Sequence, residues 1–434
     1  MLAHNPSSQH VDAFDGRLAI VSHSHPSISK GGAEISAFTL YKGLLDLGID
    51  AVFIAACSED DRGRLSLGSS REHAVFYDTR IYDHFYQLGS AFTTSALREL
   101  FIKLKIDVVN FHHYLNFGID AISKASIRLG LPTFFTIHEF LSLCHHHGQM
   151  ITRPTRLLCH KATPEACHTC FPEYSRQQFA IRQGLVSRTF QEVSGFISPS
   201  RFLAEIYIKA GLPAKKFAII ENGLAHRPSS PMPPRQRHGD GAWVYGFFGQ
   251  INPFKGVDTL LKAADVLVKN PSAKDRVRIR IHGNVIGQSE DFMQAFDKAI
   301  RTNNVVEYAG PYNNANVSSL MSECDYVVVP STWWENSPVV IQEAFAVGRP
   351  IICTGIGGMA EKIVNGVSGL HFRLNDSADL ARVILEGSNN NLYENLLAGV
   401  PDTLDQRDMA KRYLAFITTS IKRRVPNGIA ISTI

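Results

Sequence analysis

The sequence predicts an α/β protein made of two doubly wound domains that face each other across a cleft. Three observations carry this. Short β-rich runs alternate with segments of helical period, the pattern of a parallel sheet covered by crossover helices. The alternation breaks once, at 226–241 (HRPSSPMPPRQRHGDG), which packs Pro, Ser, Gly and Arg with almost no apolar residue, as a solvated linker does. A second strand series then begins, and at ~150 residues per domain a chain of 434 has room for two or three domains.

The first series runs RLAIVS from Arg17, DAVFIAA from Asp50, HAVFY from His73, DVVNFHH from Asp107, TFFTIH from Thr133, GFISPS from Gly195 and KFAIIEN from Lys216. The second runs WVYGFFG from Trp243, VRIRIHG from Val277, VVEYAG from Val305, DYVVVPS from Asp325 and PIICTG from Pro350. The expected domains are therefore 17–225 and 242–404, with the linker at 226–241. A last helix over 405–424, with apolar spacing at Met409, Tyr413, Phe416 and Ile417, is expected to cross back to the first domain. No repeat of 20 to 50 residues is present. Doubly wound sheets bind ligands beyond the carboxyl ends of their strands, so the functional residues are expected just after strands.

Composition excludes several classes. Lys and Arg total 44 against 40 Asp and Glu, and a net charge of +4 over this length does not mark a nucleic-acid binder. No apolar run approaches the ~20 residues of a membrane span, and the first residues lack a basic segment followed by an apolar one. The expectation is an intracellular, cytoplasmic protein. Seven Cys, an odd number, argue against a secreted disulfide scaffold.

After DYVVVP comes Ser331-Thr332-Trp333-Trp334-Glu335-Asn336-Ser337-Pro338-Val339-Val340-Ile341-Gln342-Glu343-Ala344, which reads as a loop entering a helix. Ser337 suits the N-cap and Pro338 the first turn, where a missing N–H is harmless. Glu335 on the loop and Glu343 on the helix then flank the N–H groups of Asn336 to Val339, a seat for an anion or hydroxyl. Two carboxylates around such donors suit a polyhydroxylated, phosphorylated ligand; the plainer alternative is a solvated capping carboxylate and an ordinary helix Glu. Gly249-Gln250-Ile251-Asn252-Pro253-Phe254-Lys255-Gly256 follows the first strand of the same half. A glycine-bounded loop with one Lys before a helix is a diphosphate seat or, alternatively, a turn with a solvated Lys.

These blocks resemble the retaining glycosyltransferases of family 4, which have the GT-B fold of two Rossmann-like domains. The resemblance extends over roughly 17–424. The family's E-x7-E signature is matched by Glu335 and Glu343, and its FxGR…KG block by Phe248-Gly249-Gln250…Lys255-Gly256. Its GG-A-E loop is matched by Gly31-Gly32-Ala33-Glu34, its donor-side His by His138 and its hinge N-G by Asn222-Gly223. The resemblance implies a nucleotide-sugar donor held mainly by the second domain. Glu343 would bind the ribose hydroxyls, and Glu335 with Asn336, Ser337, Pro338 and Val339 the transferred sugar. Lys255 would stabilise the leaving diphosphate, which Gly31 and Gly32 approach from the other domain, and His138 would contact the sugar. It further implies transfer with retention, with no enzyme nucleophile, to a glycan or lipid-linked hydroxyl, as in cell-surface polysaccharide synthesis. The absence of Asp-x-Asp agrees with catalysis that needs no metal or other cofactor.

Gln250 departs from the family, which carries an Arg there; Gln donates hydrogen bonds but brings no charge. Either Lys255 and the helix dipole suffice, or Arg201 or Arg349 takes the place. The departure keeps a second reading open, a non-catalytic nucleotide-sugar or glycan-binding partner in a synthase complex. A nicotinamide-dependent dehydrogenase fits the αβ pattern alone and fails, because SHSHPSISKGGAE and not G-x-G-x-x-G follows the first strand.

Two further features stand outside the family pattern. Cys144, Cys159, Cys167 and Cys170 lie in an expected insertion at 144–170, and a C-x2-C with two more thiols has the ligand set of a closed structural zinc site; four reduced thiols are the alternative. The segment 174–193 reads as a helix bearing Phe179, Ile181, Leu185, Val186 and Phe190 with Arg176, Arg182 and Arg188. Such a helix makes peripheral contact with an anionic membrane or is an ordinary surface helix with solvated Arg.

Overall fold

Strands that are buried on both faces must be apolar along their whole length, and the short Val/Ile/Phe-rich runs satisfy this in two separate parallel sheets. The computed structural model describes residues 14–225, 227–228, 232–236, 241–271, 273 and 275–423. These divide into two compact units, the first reaching Ala225 and resuming at Leu404, the second covering the described residues between them.

The first unit holds strands β1 (Leu18–Ser22), β2 (Ala51–Ser58), β3 (Glu72–Tyr77), β4 (Val108–Phe111), β5 (Thr133–Thr136), β6 (Gly195–Ser198) and β7 (Phe217–Ile219). Their order across the sheet is β3-β2-β1-β4-β5-β6-β7, with every ladder parallel. Helix Gly32–Asp46 follows β1 and packs Leu40, Tyr41 and Leu44 into one core with Met409, Tyr413 and Ile417 of the last helix, Gln406–Lys422. The last helix is thus a wall of the first unit. The Leu224 N–H, which donates to the Leu404 carbonyl at 2.9 Å, splices the two chain segments together. Arg424, the expected end of that helix, lies outside the described residues, as do 226, 229–231 and 237–240 of the linker.

The second unit holds β8 (Trp243–Phe248), β9 (Val277–His282), β10 (Val306–Gly310), β11 (Tyr326–Val329), β12 (Ile351–Thr354) and β13 (Gly369–Phe372), in the order β10-β9-β8-β11-β12-β13. Along β8 the side chains alternate between the two faces: Trp243, Tyr245 and Phe247 enter one core, Val244 and Phe248 the other. Strand β13, the run Gly369-Leu370-His371-Phe372, is absent from the expected series, because four residues with one His carry little strand signal of their own. It pairs along β12 and forms the sheet edge.

Within the insertion Thr163 caps a helix at Pro164–Cys170, where its side chain accepts the Ala166 N–H. Among the described residues no three His, Cys, Asp or Glu side chains are grouped so as to hold a metal ion, while burial and then the nearby Cys144, Cys159 and Cys170 push the Cys167 thiol up. Cys144 lies buried, and the Cys170 sulfur accepts the Arg153 N–H at 3.0 Å. Finally, the helix at Arg176–Glu192 forms behind a Ser175–Gln178 capping box, but Arg182 does not face a membrane. It is 1% exposed and donates to the carbonyls of Phe85, Leu141 and Leu143 at 2.9, 2.7 and 3.2 Å. A guanidinium that saturates buried carbonyls fixes a loop, here the turn that follows His138. Among the described residues no helix is long and apolar enough to cross a membrane.

Gly43 marks where the first and last helices touch. A methyl group there would stand 2.1 Å from the Gln406 carbonyl oxygen. Gly43→Ala is therefore expected to displace the last helix and to cost about 1–3 kcal/mol of stability. Urea unfolding followed by far-ultraviolet circular dichroism checks this, and an unchanged midpoint contradicts it.

Candidate active site

In a doubly wound sheet the chain leaves one central strand toward one edge and a neighbouring central strand toward the other, and the loops at that point splay apart to leave a crevice. In the second unit these strands are β8 and β11, and in the first β1 and β4. The candidate residues cluster after these four strands and the neighbouring β5, in two groups, one per unit.

In the second unit the loop after β8 turns through a short helical segment, Pro253–Lys255, where the Asn252 side chain accepts the Lys255 N–H at 3.0 Å. Gly256 follows with φ +74°, and a Cβ there would lie 1.8 Å from the Pro330 carbonyl oxygen, so only glycine lets the loops after β8 and β11 close on each other. The Thr332 N–H then donates to the Phe254 carbonyl at 2.8 Å. Across this seam Lys255 Nζ reaches Glu335 Oε1 at 2.6 Å. Ser331 Oγ and Trp333 Nε1 donate to the same oxygen at 2.9 and 2.8 Å. The Trp333 ring stacks on Phe254 at 5.3 Å with an interplanar angle of 18°, and Lys255 Nζ lies 5.6 Å from its centre. Burial pushes the Glu335 carboxyl up, but the Lys255 charge and these hydrogen bonds outweigh it and hold the group below its usual range. Glu335 is thus ionised, with its three partners all on Oε1.

The helix that follows begins one residue later than expected. It spans Val339–Ala346 with Pro338 as its cap, because Pro338 holds an extended ψ of 123° where Ser337 was assigned the cap. Since proline has no N–H, the donors facing the helix entrance come from Val339 onward and from Asn336 and Ser337 in the loop. Glu343, one helical turn further, is half-buried and accepts from Asn314 Nδ2 at 3.2 Å. Burial raises its carboxyl, against the Asn314 hydrogen bond. Gln250 is exposed at the loop surface. Arg349 does not take the place of the missing cation, because it is 1% exposed and donates to the carbonyls of Met232, Pro233, Ser322 and Val347. It clasps the linker to the second unit. Arg201 opens the helix Arg201–Lys209 of the first unit.

The first unit gathers around His138 three further histidines that the sequence reading did not single out. His23 follows β1, His112 and His113 follow β4, and His138 lies two residues beyond β5. The His23 and His113 rings stand 4.3 Å apart, and His112 Nδ1 meets His138 Nε2 at 2.9 Å. Burial drives His23 and His112 down to about 3 and His113 to about 4. His138 is pushed well below its ordinary value by burial and then by its histidine neighbours. The cluster is neutral at physiological pH. Beside it Gly31 caps helix Gly32–Asp46, and Glu34, 4% exposed, accepts from Ser29 Oγ at 2.5 Å and faces His23 Nε2 at 3.4 Å. A Cβ at Gly31 would press on Glu34 at 2.6 Å, whereas Gly32 opens on free space. Glu139, next to His138, accepts from His113 Nε2 at 3.1 Å, and burial raises it to about 8. The signal for these groups was present: SHSH and FHH end the two strands on which the chain reverses direction.

Comparison with known proteins agrees with this arrangement. Residues 30–226 match the family described as Glycosyltransferase Family 4, and residues 231–397 match Glycosyl transferases group 1. The chain belongs to the GT4-type glycosyltransferases of the GT-B fold. A D-inositol 3-phosphate glycosyltransferase of Streptosporangium roseum is 25% identical to this glycosyltransferase over 85% of the chain and 84% of that protein. The namesake from Stackebrandtia nassauensis is 26% identical over 64% of the chain, a match that spans only 59% of that protein. Among solved structures, Anabaena HepE in complex with UDP and glucose superposes with a TM-score of 0.65 at 18% identity, covering 93% of this chain and 100% of that one. Sucrose-phosphate synthase from Thermosynechococcus elongatus does so with a TM-score of 0.65 at 15% identity, covering 94% and 98%.

The neutral histidines make the first unit acid-sensitive. An unfolded histidine takes up its proton near pH 6.5, while the folded His23, His112 and His113 do so only near 3 to 4. Between these values the unfolded chain binds more protons, so stability is intact above pH 6.5 and falls as pH falls, by up to about 1.4 kcal/mol per unit for each histidine. All three Trp lie in the second unit, at 243, 333 and 334, so their fluorescence does not report this loss. Calorimetry at pH 7.5 and 5 is expected to show one transition moving down ahead of the fluorescence change; coincident, unmoved transitions contradict it.

Proposed function

We propose that the enzyme moves a sugar from a nucleotide-sugar donor to a hydroxyl of a glycan or lipid-linked acceptor, with retention of anomeric configuration, in cell-surface polysaccharide synthesis. The observation that carries this reading is the Lys255–Glu335 pair, held at 2.6 Å where the second sheet reverses direction. A leaving nucleoside diphosphate gains negative charge as the glycosidic bond breaks, and a fixed ammonium beside it lowers that barrier. Glu335 holds Lys255 in place through Oε1, which leaves Oε2 to accept from a hydroxyl of the transferred sugar. Glu343, aided by Asn314, accepts from the ribose hydroxyls. Asn336, Ser337 and the Val339 N–H face the sugar and diphosphate from the loop side, and Pro338 shapes the turn that presents them. Gly32 gives the donor phosphates close approach to the helix entrance of the first unit.

In the retaining reaction the acceptor hydroxyl attacks from the face that the diphosphate leaves, and its proton passes to the departing phosphate oxygen. The neutral histidine cluster fits this, since it supplies hydrogen bonds without competing for that proton. The complexes of HepE with UDP and glucose support the donor class, and the inositol-phosphate names of the relatives support a polyhydroxylated acceptor.

The neutral Gln250 favours one other reading, a nucleotide-sugar binder without transferase activity. Thermal shift with a panel of nucleotide sugars, followed by transfer and donor-hydrolysis assays with the stabilising member, separates the two. Lys255→Ala is expected to lower turnover about 100-fold or more. Gln250→Ala, which removes no charge and no contact of the pair, is expected to cost far less. A Lys255→Ala enzyme with near-wild-type turnover removes the assignment. Anomeric NMR of the product is expected to show the donor's configuration, and inversion refutes the mechanism.

A further inference from the structure

Asn110 is a polar residue in the middle of a buried strand, 0% exposed, in a β4 otherwise made of Val108, Val109 and Phe111. A buried amide at such a place is retained only if its hydrogen bonds are met. Its Oδ1 accepts from Thr136 Oγ1 of β5 at 3.1 Å, and its Nδ2 meets His112 Nε2 at 3.3 Å. His112, 1% exposed, has the His138 ring at 5.1 Å and the Tyr413 ring of the last helix at 6.2 Å. Its other nitrogen, Nδ1, meets His138 Nε2 at 2.9 Å. A line of four side chains thus runs Thr136, Asn110, His112, His138, from the sheet interior to the strand ends.

We propose that Asn110 and His112 are positioning residues that set the tautomer of His138, so that its Nδ1 carries the hydrogen and donates toward the sugar nucleotide. This rests on the assignment of His138 to the donor side. A neutral imidazole has one N–H and one lone pair. The Thr136 hydroxyl donates to the amide oxygen, so the amide NH2 is turned to His112 and donates to Nε2. His112 must then carry its hydrogen on Nδ1 and give it to His138 Nε2. That nitrogen is spent as an acceptor, and the His138 hydrogen is on Nδ1. The second histidine pair is set independently: the Leu115 N–H donates to His113 Nδ1 at 2.9 Å, so His113 Nε2–H donates to Glu139. The other titratable groups near the line are His23, facing Glu34, and Glu139, facing His113. None of them donates to or accepts from His112. The burial of His112 keeps it uncharged, which the one-hydrogen argument needs.

The test does not begin with activity. Long-range ¹H–¹⁵N correlation spectra of protein labelled at histidine distinguish Nδ1–H from Nε2–H rings, with His112→Gln and His138→Gln spectra to assign the two signals. Both rings are expected as Nδ1–H forms without substrate, and an Nε2–H form of His138 overturns the proposal. Asn110→Asp replaces the donor with an acceptor-only group, which turns the line around. The expected result is an Nε2–H form of His138 together with about a tenfold higher KM for the donor. A turned tautomer with unchanged KM overturns the positioning role. Thr136→Val, which removes only the hydroxyl that orients the amide, gives the same readout where the Asp variant folds poorly. A wild-type enzyme that transfers no sugar would instead refute the functional reading and leave the tautomer result standing.

Discussion

Burial of parallel strands on both faces is the constraint from which the rest of this molecule follows. A strand with apolar neighbours above and below has no place for a reactive group along most of its length, so chemistry is displaced to the loops that leave the carboxyl ends. In each sheet the loops part at one point, after β1 and β4 and after β8 and β11. Lys255 and Glu335 occupy one of these points, His23, Gly31, His112 and His113 the other. Asn110 is the exception within a central strand, and its hydrogen bonds run to the same place.

The two groups solve opposite electrostatic problems. In the second unit the charge is kept: Glu335, 11% exposed along its side chain, is held ionised by an ammonium and two neutral donors on one oxygen. Removal of any one donor weakens a preorganised arrangement without emptying it. In the first unit the charge is removed: four histidines crowd together, and burial with mutual repulsion makes protonation costly. A nucleoside diphosphate brings its own negative charge and needs a cation. A sugar brings hydroxyls and needs directed donors and acceptors of low charge.

Legibility in the sequence tracked how local the governing physics is. Twelve of the strands announce themselves as apolar runs, because burial on both faces is written in the run itself. Strand β13 escapes because Gly369 to Phe372 draws its strand character from pairing with β12. Glu335, Lys255 and Glu343 were found because their spacing around a loop and a helix start is a short-range pattern. The cap was misplaced by one residue, since Ser337 has the better capping chemistry but Pro338 has the extended backbone. Arg182 reads as a surface charge from helical periodicity alone. Its true environment is made by Phe85, Leu141 and Leu143, 39 to 97 positions away. The histidine cluster is non-local in the same sense, as the ends of β1, β4 and β5 meet only once the sheet order is known.

The neutral Gln250 is the point at which family expectation and this chain part, and the contacts around Lys255 bear on it directly. Arg349 is committed to four carbonyls, two of them in the linker, so the charge missing at Gln250 is not restored from there. What the chain has is a single ammonium whose position is fixed from three sides: by the Asn252 cap at its backbone, by Glu335 at its tip and by the Trp333 face alongside. A cation that needs no rearrangement to meet its ligand spends little of its interaction on ordering, whereas two mobile cations must each be ordered. On this argument a rigid Lys255 does with one charge what a looser site does with two. Trp333 and Phe254 then matter to the proposed diphosphate site through the position they give Lys255, as much as the charge itself does.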